Sequence, residues 1–237
     1  MLKHLKLNNI FLLDIETVPQ YENFDELPGH LQILWEQKSQ YQCKSGQTAA
    51  EFYESAGIWS EFGKIVCISI GFFHLEENHI HLRVRSFTAH DEELLLLQFI
   101  NLLNAQSSNL QLCAHNGKEF DFPYLCRRML INGLQIPKVL QLSGKKPWEI
   151  NHIDTLELWK FGDHKHFTSL NLLAAIFNLP TPKNDIDGSK VRQVYYQEKN
   201  LKRIANYCEK DVITLAQVLL RFKGLPIIPP ENITLVE

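Results

Sequence analysis

The scarcities of this 237-residue chain narrow it more than its abundances do. It has no excess of positive charge: 24 Lys and Arg stand against 27 Asp and Glu, a formal net charge of −3. No overall basic field therefore advertises a polyanionic partner, although an acidic protein can still hold a phosphate backbone through metal ions and local basic patches. Cysteine is sparse: Cys43, Cys67, Cys113, Cys126 and Cys208 are odd in number, and no two form a C-x-x-C pair. Four of them sit among apolar residues. That excludes a disulfide framework and argues against a zinc site, leaving buried free thiols in a reducing compartment. No apolar run approaches the ~18 residues of a membrane span. The opening MLKHLKLNN is too polar for a secretory signal, so a cytoplasmic protein with no membrane association is expected. Internal repeats and low-complexity tracts are also missing. What remains, 45% hydrophobic and 22% charged, suits one large domain or one domain with an elaborated insertion.

The stretch Phe11-Leu12-Leu13-Asp14-Ile15-Glu16-Thr17 organises the chain. It reads as a buried strand over 9–14, with Pro19 ending regular structure soon after Glu16. Strand side chains alternate between faces, so Asp14 and Glu16 point one way while Leu13 and Ile15 point the other. Two neighbouring carboxylates repel, and burying either is costly. A cation between them relieves both problems, and hard oxygen donors suit magnesium or manganese.

Residues 20–62 form a helical excursion, with Thr48 and Glu51 in a capping-box spacing. Lys64 to Phe73 and His79 to Phe87 read as an antiparallel pair joined at Glu76-Glu77-Asn78. Asp91 caps a helix, EELLLLQFINLLNA. Leu110 to Ala114 is a short strand, Phe120 to Ile131 a helix, and Glu149 to Asp154 a strand running into TLELWKF. Ser169 to Phe177 is a helix, Leu179 to Val191 a loop and Asn200 to Phe222 the longest helix. The tail over 224–237, with three prolines, is expected as an extended arm. Strands alternating with helices, plus one early hairpin, predict an α/β fold with a mixed, five-stranded sheet flanked by helices. Ligands in such folds collect at the carboxyl ends of parallel strands, where Asp14 and Glu16 lie.

Other acids reinforce the pair. Asp121 follows the third apolar strand, where it either joins the metal site or caps the next helix ahead of Pro123. Tyr207 and Asp211 lie four apart on the last helix and so share a face. Asp211 sits among Cys208, Val212 and Leu215, where it needs either a cation or an ion pair. Asp154 reads as a helix cap, and Asp185 and Asp187 as turn residues. Asn116, followed by Gly117, reads as a turn residue with ligand contact as the alternative. Four carboxylates from separated segments would bind two divalent cations about 3.5–4 Å apart, as used for in-line displacement at phosphorus. Tyr207 would orient the attacking water, since a phenol with a pKa near ~10 is a poor base at neutral pH.

Leu13-Asp14-Ile15-Glu16-Thr17, then His115-Asn116-Gly117 through Phe120-Asp121, then Tyr207 through Asp211, resemble in order the three motifs of the DEDD 3′–5′ exonucleases. The Y-x-x-x-D form of the third resembles their tyrosine subgroup, found in the proofreading domain of family-B DNA polymerases. EFGKIVCISIGF, HIDTLELWKF and SLNLLAAIFNLP are similar to a stand-alone group related to that domain. The resemblance spans roughly residues 8 to 222 and implies a ribonuclease H-like fold forming a single exonuclease domain over 1–237. It implies Asp14, Glu16, Asp121 and Asp211 as ligands of two Mg2+ or Mn2+ ions, with Asp14 bridging and Tyr207 positioning water. The substrate implied is a single-stranded nucleic acid 3′ end, with DNA favoured over RNA. Thr17 would touch the terminal nucleotide through backbone, Asn116 and Lys118 would approach the strand, and Phe122 would pack under the site. Of the scattered basic residues, Lys118 and the Lys183–Lys190 loop are the better candidates for strand contact; Arg127-Arg128 and Lys202-Arg203 read as surface cations. An exoribonuclease with the same site and a catalytically silent binding module are the alternatives.

Overall fold

The computed structural model describes residues 2–163, 165–180 and 185–236. Lys183 of the proposed strand-contact loop lies outside them. Among the described residues, six strands form one sheet: β1 (Ile10–Pro19), β2 (Gly63–Glu76), β3 (His79–Thr88), β4 (Gln111–Ala114), β5 (Ile153–Asp154) and β6 (Ile233–Val236). Their order is β5-β4-β1-β2-β3-β6. The hairpin strands β2 and β3 run antiparallel to each other, β2 antiparallel to β1, and the β1–β4, β4–β5 and β3–β6 pairs are parallel. The mixed α/β architecture is as expected, but the count of five strands is corrected to six. The tail expected as an extended arm ends in β6, which lies along β3 from Leu82↔Ile233 to Arg85↔Val236. An edge strand with a bare row of N–H and C=O groups recruits any β-prone segment within reach, and Ile-Thr-Leu-Val is one.

β1 also runs further than predicted. Pro19 occupies its last ladder position, opposite Gly63, where a missing N–H costs least. Before it the register slips: Glu16 faces Cys67 while Thr17 faces Ile65. This bulge sits beside the carboxylate pair, and bulges re-aim side chains. The β2–β3 turn is tighter than expected, with Glu77 and Asn78 both at positive φ (49° and 64°), the signature of a two-residue turn whose twist matches the strands.

Among the described residues, eight α-helices accompany the sheet: α1 (Gly29–Ser39), α2 (Ala49–Phe52), α3 (Glu92–Asn104), α4 (Asp121–Ile131), α5 (Thr155–Lys160), α6 (Leu170–Ile176), α7 (Val191–Tyr196) and α8 (Leu201–Lys223). Side-chain caps set several starts: Thr48 with Glu51 in a full capping box, Asp91, Ser169 and Asn200. On one sheet face, Leu13, Ile15, Ile68 and Ile70 pack with Phe99 of α3 and Leu125 of α4. On the other, Ile10, Leu12 and Val84 pack with Val212, Leu215 and Leu219 of α8. The 20–62 excursion builds an aromatic core of its own, with Trp35 fully buried against Phe52, Tyr53, Trp59 and Phe62.

Arg128 is corrected from surface cation to internal clasp. Its guanidinium grips Glu92 through Nε (2.9 and 3.1 Å) and Nη2 (2.5 Å) and donates to the Ser60 carbonyl at 2.9 Å. Glu92 also accepts from the Ile65 N–H at 2.7 Å and from Asn132 at 3.0 Å. One buried ion pair thereby fastens α3, α4, β2 and the end of the excursion together. Nearby, Tyr124 donates to the Gly57 carbonyl at 2.7 Å. A β-carbon on Gly63 would overlap the Tyr124 hydroxyl, so only glycine fits where β2 begins.

Candidate active site

Alternation along β1 sends Asp14 and Glu16 toward α8, the side also occupied by Ile10 and Leu12, while Leu13 and Ile15 enter the opposite core. Asp121 is the first residue of α4 and not its cap, which is Phe120. Its side chain instead accepts the Ile15 backbone N–H and is 4% exposed. On α8, Tyr207 and Asp211 are one turn apart, and the phenol hydroxyl donates to the Asp211 carboxylate. The four carboxylates therefore converge from β1, the start of α4 and the middle of α8.

Their electrostatics record the crowding. Burial first, then the charges of Asp211 and Asp121, hold the Asp14 pKa well above the usual carboxylate range. Glu16 is raised in the same direction by burial and then by Asp14. Burial lifts Asp121 to about 7, with Asp154 adding to it and the Ile15 hydrogen bond opposing it. Asp211 rises to about 6 through burial, offset by the Tyr207 hydrogen bond. Tyr207 is itself pushed upward by burial and by Asp211, Glu16 and Asp14, so it keeps its proton at neutral pH. A positive charge among these acids would relieve their mutual repulsion.

Sequence reasoning missed Cys208. Its Sγ is 3.2 Å from Asp14 Oδ2 and 3.4 Å from the Asp14 carbonyl. Ligating atoms of Asp14, Glu16 and Cys208 all lie within 4.8 Å of one another. The signal was available: Cys208 is three residues before Asp211 on the same helical face. Cys208 also heads a hydrogen-bonded row, through Cys67 to Ser69 (3.7 Å), Ser86 (2.7 Å) and finally Glu209 (2.8 Å).

The cap reading of Asp154 holds, and the residue does more. It accepts from the Leu156 and Glu157 N–H groups at the start of α5, and from the Asn116 and Lys118 N–H groups at 3.0 Å each. One carboxylate thus fixes the turn after β4 to the helix after β5. Asn116 has φ 63° and its carbonyl accepts from Glu119 and Phe120, as a turn residue should. Lys118 ion-pairs with Glu157 at 2.7 Å. Thr17, at the bulge, donates its hydroxyl to Tyr124. Phe122 has no exposed surface and packs edge-on to His152 at 5.0 Å; its expected place beside the substrate is corrected to the hydrophobic core, where the first turn of α4 points it. His115 is pinned between Thr155 Oγ1 (2.9 Å) and the Thr168 carbonyl (2.8 Å). Burial lowers its pKa and keeps it neutral.

Residues 58–226 match the family described as predicted 3′–5′ exonucleases related to the exonuclease domain of family-B DNA polymerases (PolB). The chain belongs to this family. The match takes in Asp121, Tyr207 and Asp211; Asp14 and Glu16 precede it and rest on the geometry above. A DNA polymerase of Pyrococcus glycovorans is 22% identical over 133 residues, 51% of this chain and 17% of the polymerase. The family B DNA polymerase of Pyrobaculum calidifontis, at 15% identity and a TM-score of 0.48, covers 89% of this chain and 24% of its own. The chain thus spans a quarter or less of the length of these polymerases. Among the described residues, no helix is long and apolar enough to cross a membrane.

Proposed function

We propose that this protein is a divalent-metal-dependent 3′–5′ exonuclease that removes nucleoside 5′-monophosphates from single-stranded DNA ends. The supporting observation is the convergence of Asp14, Glu16, Asp121 and Asp211 beside a protonated Tyr207, in a chain of an exonuclease family. The donor set fits magnesium or manganese: oxygen ligands from several elements, partly buried, each opposing the ionisation of the next. DNA is favoured over RNA because a relative in sequence is a DNA polymerase.

In this reading Asp14, Glu16, Asp121 and Asp211 would hold the cations. Cations bound there would supply charge neutralisation at the scissile phosphate and a lowered pKa for water. The chain supplies the rest. Tyr207 donates a hydrogen bond to Asp211, leaving its oxygen to accept from the attacking water and set its line of approach. It does not act as a base, because its surroundings hold the phenol protonated. Asp154, by locking the Asn116–Lys118 turn, fixes the loop that delivers Asp121.

The test uses 5′-labelled single-stranded DNA and RNA with Mg2+, Mn2+ or EDTA. A ladder shortening from the 3′ end, abolished by EDTA and by Asp14→Asn, is expected. Internal cleavage would sink the exonuclease reading. Binding without cleavage would leave the silent module, and faster loss of RNA would reverse the substrate order.

A further inference from the structure

The hairpin of β2 and β3 carries a second set of metal-ligating side chains. His74 and Glu76 are two residues apart on β2 and so leave the same face. The antiparallel register sets His81 directly opposite His74, and such facing pairs have Cβ atoms about 4.5–5.5 Å apart. One ligating atom from each of His74, Glu76 and His81 lies within 4.8 Å of the other two. His74 Nε2 is 3.7 Å from Glu76 Oε2, and the two imidazole centroids are 5.2 Å apart. In a tetrahedral zinc site with bonds of ~2.0–2.1 Å, ligand atoms stand about 3.3 Å apart, so closing the set takes small side-chain rotations.

His74 Nδ1 is shielded from solvent and has no hydrogen-bond partner, while Nε2 faces Glu76 and is the ring nitrogen placed to take an ion. The cluster is separate from the carboxylate site. Asp14 pairs with Ser69, and His74 lies five residues further along β2, about 17 Å away at ~3.4 Å per residue.

We propose that His74, Glu76 and His81 form a binding site for a zinc-class divalent cation. Two imidazoles and one carboxylate are borderline donors, matched to Zn2+, Co2+, Ni2+ and Cu2+ rather than Mg2+. Three protein ligands leave the fourth position to water. Because the ligands come from both strands, the ion clasps the hairpin next to Leu82, where β6 begins its pairing.

The experiment titrates untagged full-length protein, and its Asp14→Asn variant, with Co2+ in the absence of other metals. Both should take up one equivalent with tetrahedral d–d absorption and no thiolate-to-cobalt charge-transfer band, displaced by Zn2+. Changes in residues that merely support a metal ligand cost about 10–100-fold in affinity, so His81→Gln or Glu76→Gln, which lose a ligand, should weaken uptake at least about tenfold. Both variants should leave the melting profile in EDTA unchanged, because these side chains reach solvent. The proposal is overturned if the signal survives His81→Gln and Glu76→Gln, or disappears with Asp14→Asn. A thiolate band would move the ion to Cys208 and overturn it equally, as would no Co2+ uptake.

Discussion

Asp121→Asn should stabilise the metal-free protein at pH 8 while disabling it. The carboxyl is 4% exposed and is held at about 7 in the fold, against an ordinary value of 3.8. A group raised by folding favours the native state while protonated. That advantage is complete below pH 4 and is lost as the pH rises through 7, because the unfolded chain ionises first. At about 1.4 kcal/mol per pH unit, the penalty once both states are ionised is about 4 kcal/mol. Asparagine removes the charge but keeps an oxygen for the Ile15 N–H; a neutral acceptor is weaker there by about 1 kcal/mol. The net gain is about 2–3 kcal/mol, or roughly 5–10 °C in melting temperature for a chain of this size. Urea unfolding in EDTA at pH 5 and pH 8 measures it directly. The parent should lose stability between the two, and the variant should lose less, with Asp14, Glu16 and Asp211 keeping their own share of the slope. A variant no more stable than the parent at pH 8, or one with an unchanged pH slope, would refute the picture of a buried carboxylate under repulsion.

Further outcomes follow from other contacts. Glu92→Gln leaves the Arg128 charge buried without its counter-ion and should cost about 3–5 kcal/mol in urea unfolding, whereas Glu92→Leu with Arg128→Met should recover much of it. Tyr207→Phe should slow turnover about 100-fold, the scale of one lost positioning hydrogen bond, while Mn2+ binding by calorimetry stays near the parent's; loss of Mn2+ binding would reassign the phenol. Gly63→Ala forces the Tyr124 hydroxyl away from the Gly57 carbonyl and should lower stability by about 1–3 kcal/mol, seen as an earlier thermal transition.

The placement of the candidate site's side chains was readable wherever one short periodicity decided it. Asp14 and Glu16 obey the two-residue alternation of a strand, and Tyr207 and Asp211 the four-residue spacing of a helix. Arg128 was misread because the sequence shows a basic pair, Arg127-Arg128, but not Glu92, 36 residues earlier, waiting to neutralise one of them. Phe122 was misplaced because adjacency in sequence to Asp121 says nothing about direction: consecutive helical residues point about 100° apart. The sixth strand was hidden by prolines that argue against regular structure locally, while the vacancy it fills, the open edge of β3, exists only once the sheet has formed. Asp154 showed its helix-capping half in sequence; the other half depends on β5 lying beside β4.

The row from Cys208 through Cys67, Ser69 and Ser86 to Glu209 bears on how the pocket fills. Carboxyls that hold protons must shed them when cations arrive. Every group in that row carries an exchangeable hydrogen or can accept one, so hydrogen bonds connect Asp14 to the half-buried Glu209 of α8. On the proposed function, the row would offer those protons a path through the protein when a strand lies across the carboxylates. Loading would then show a solvent deuterium isotope effect, diminished when Ser69→Ala breaks the row.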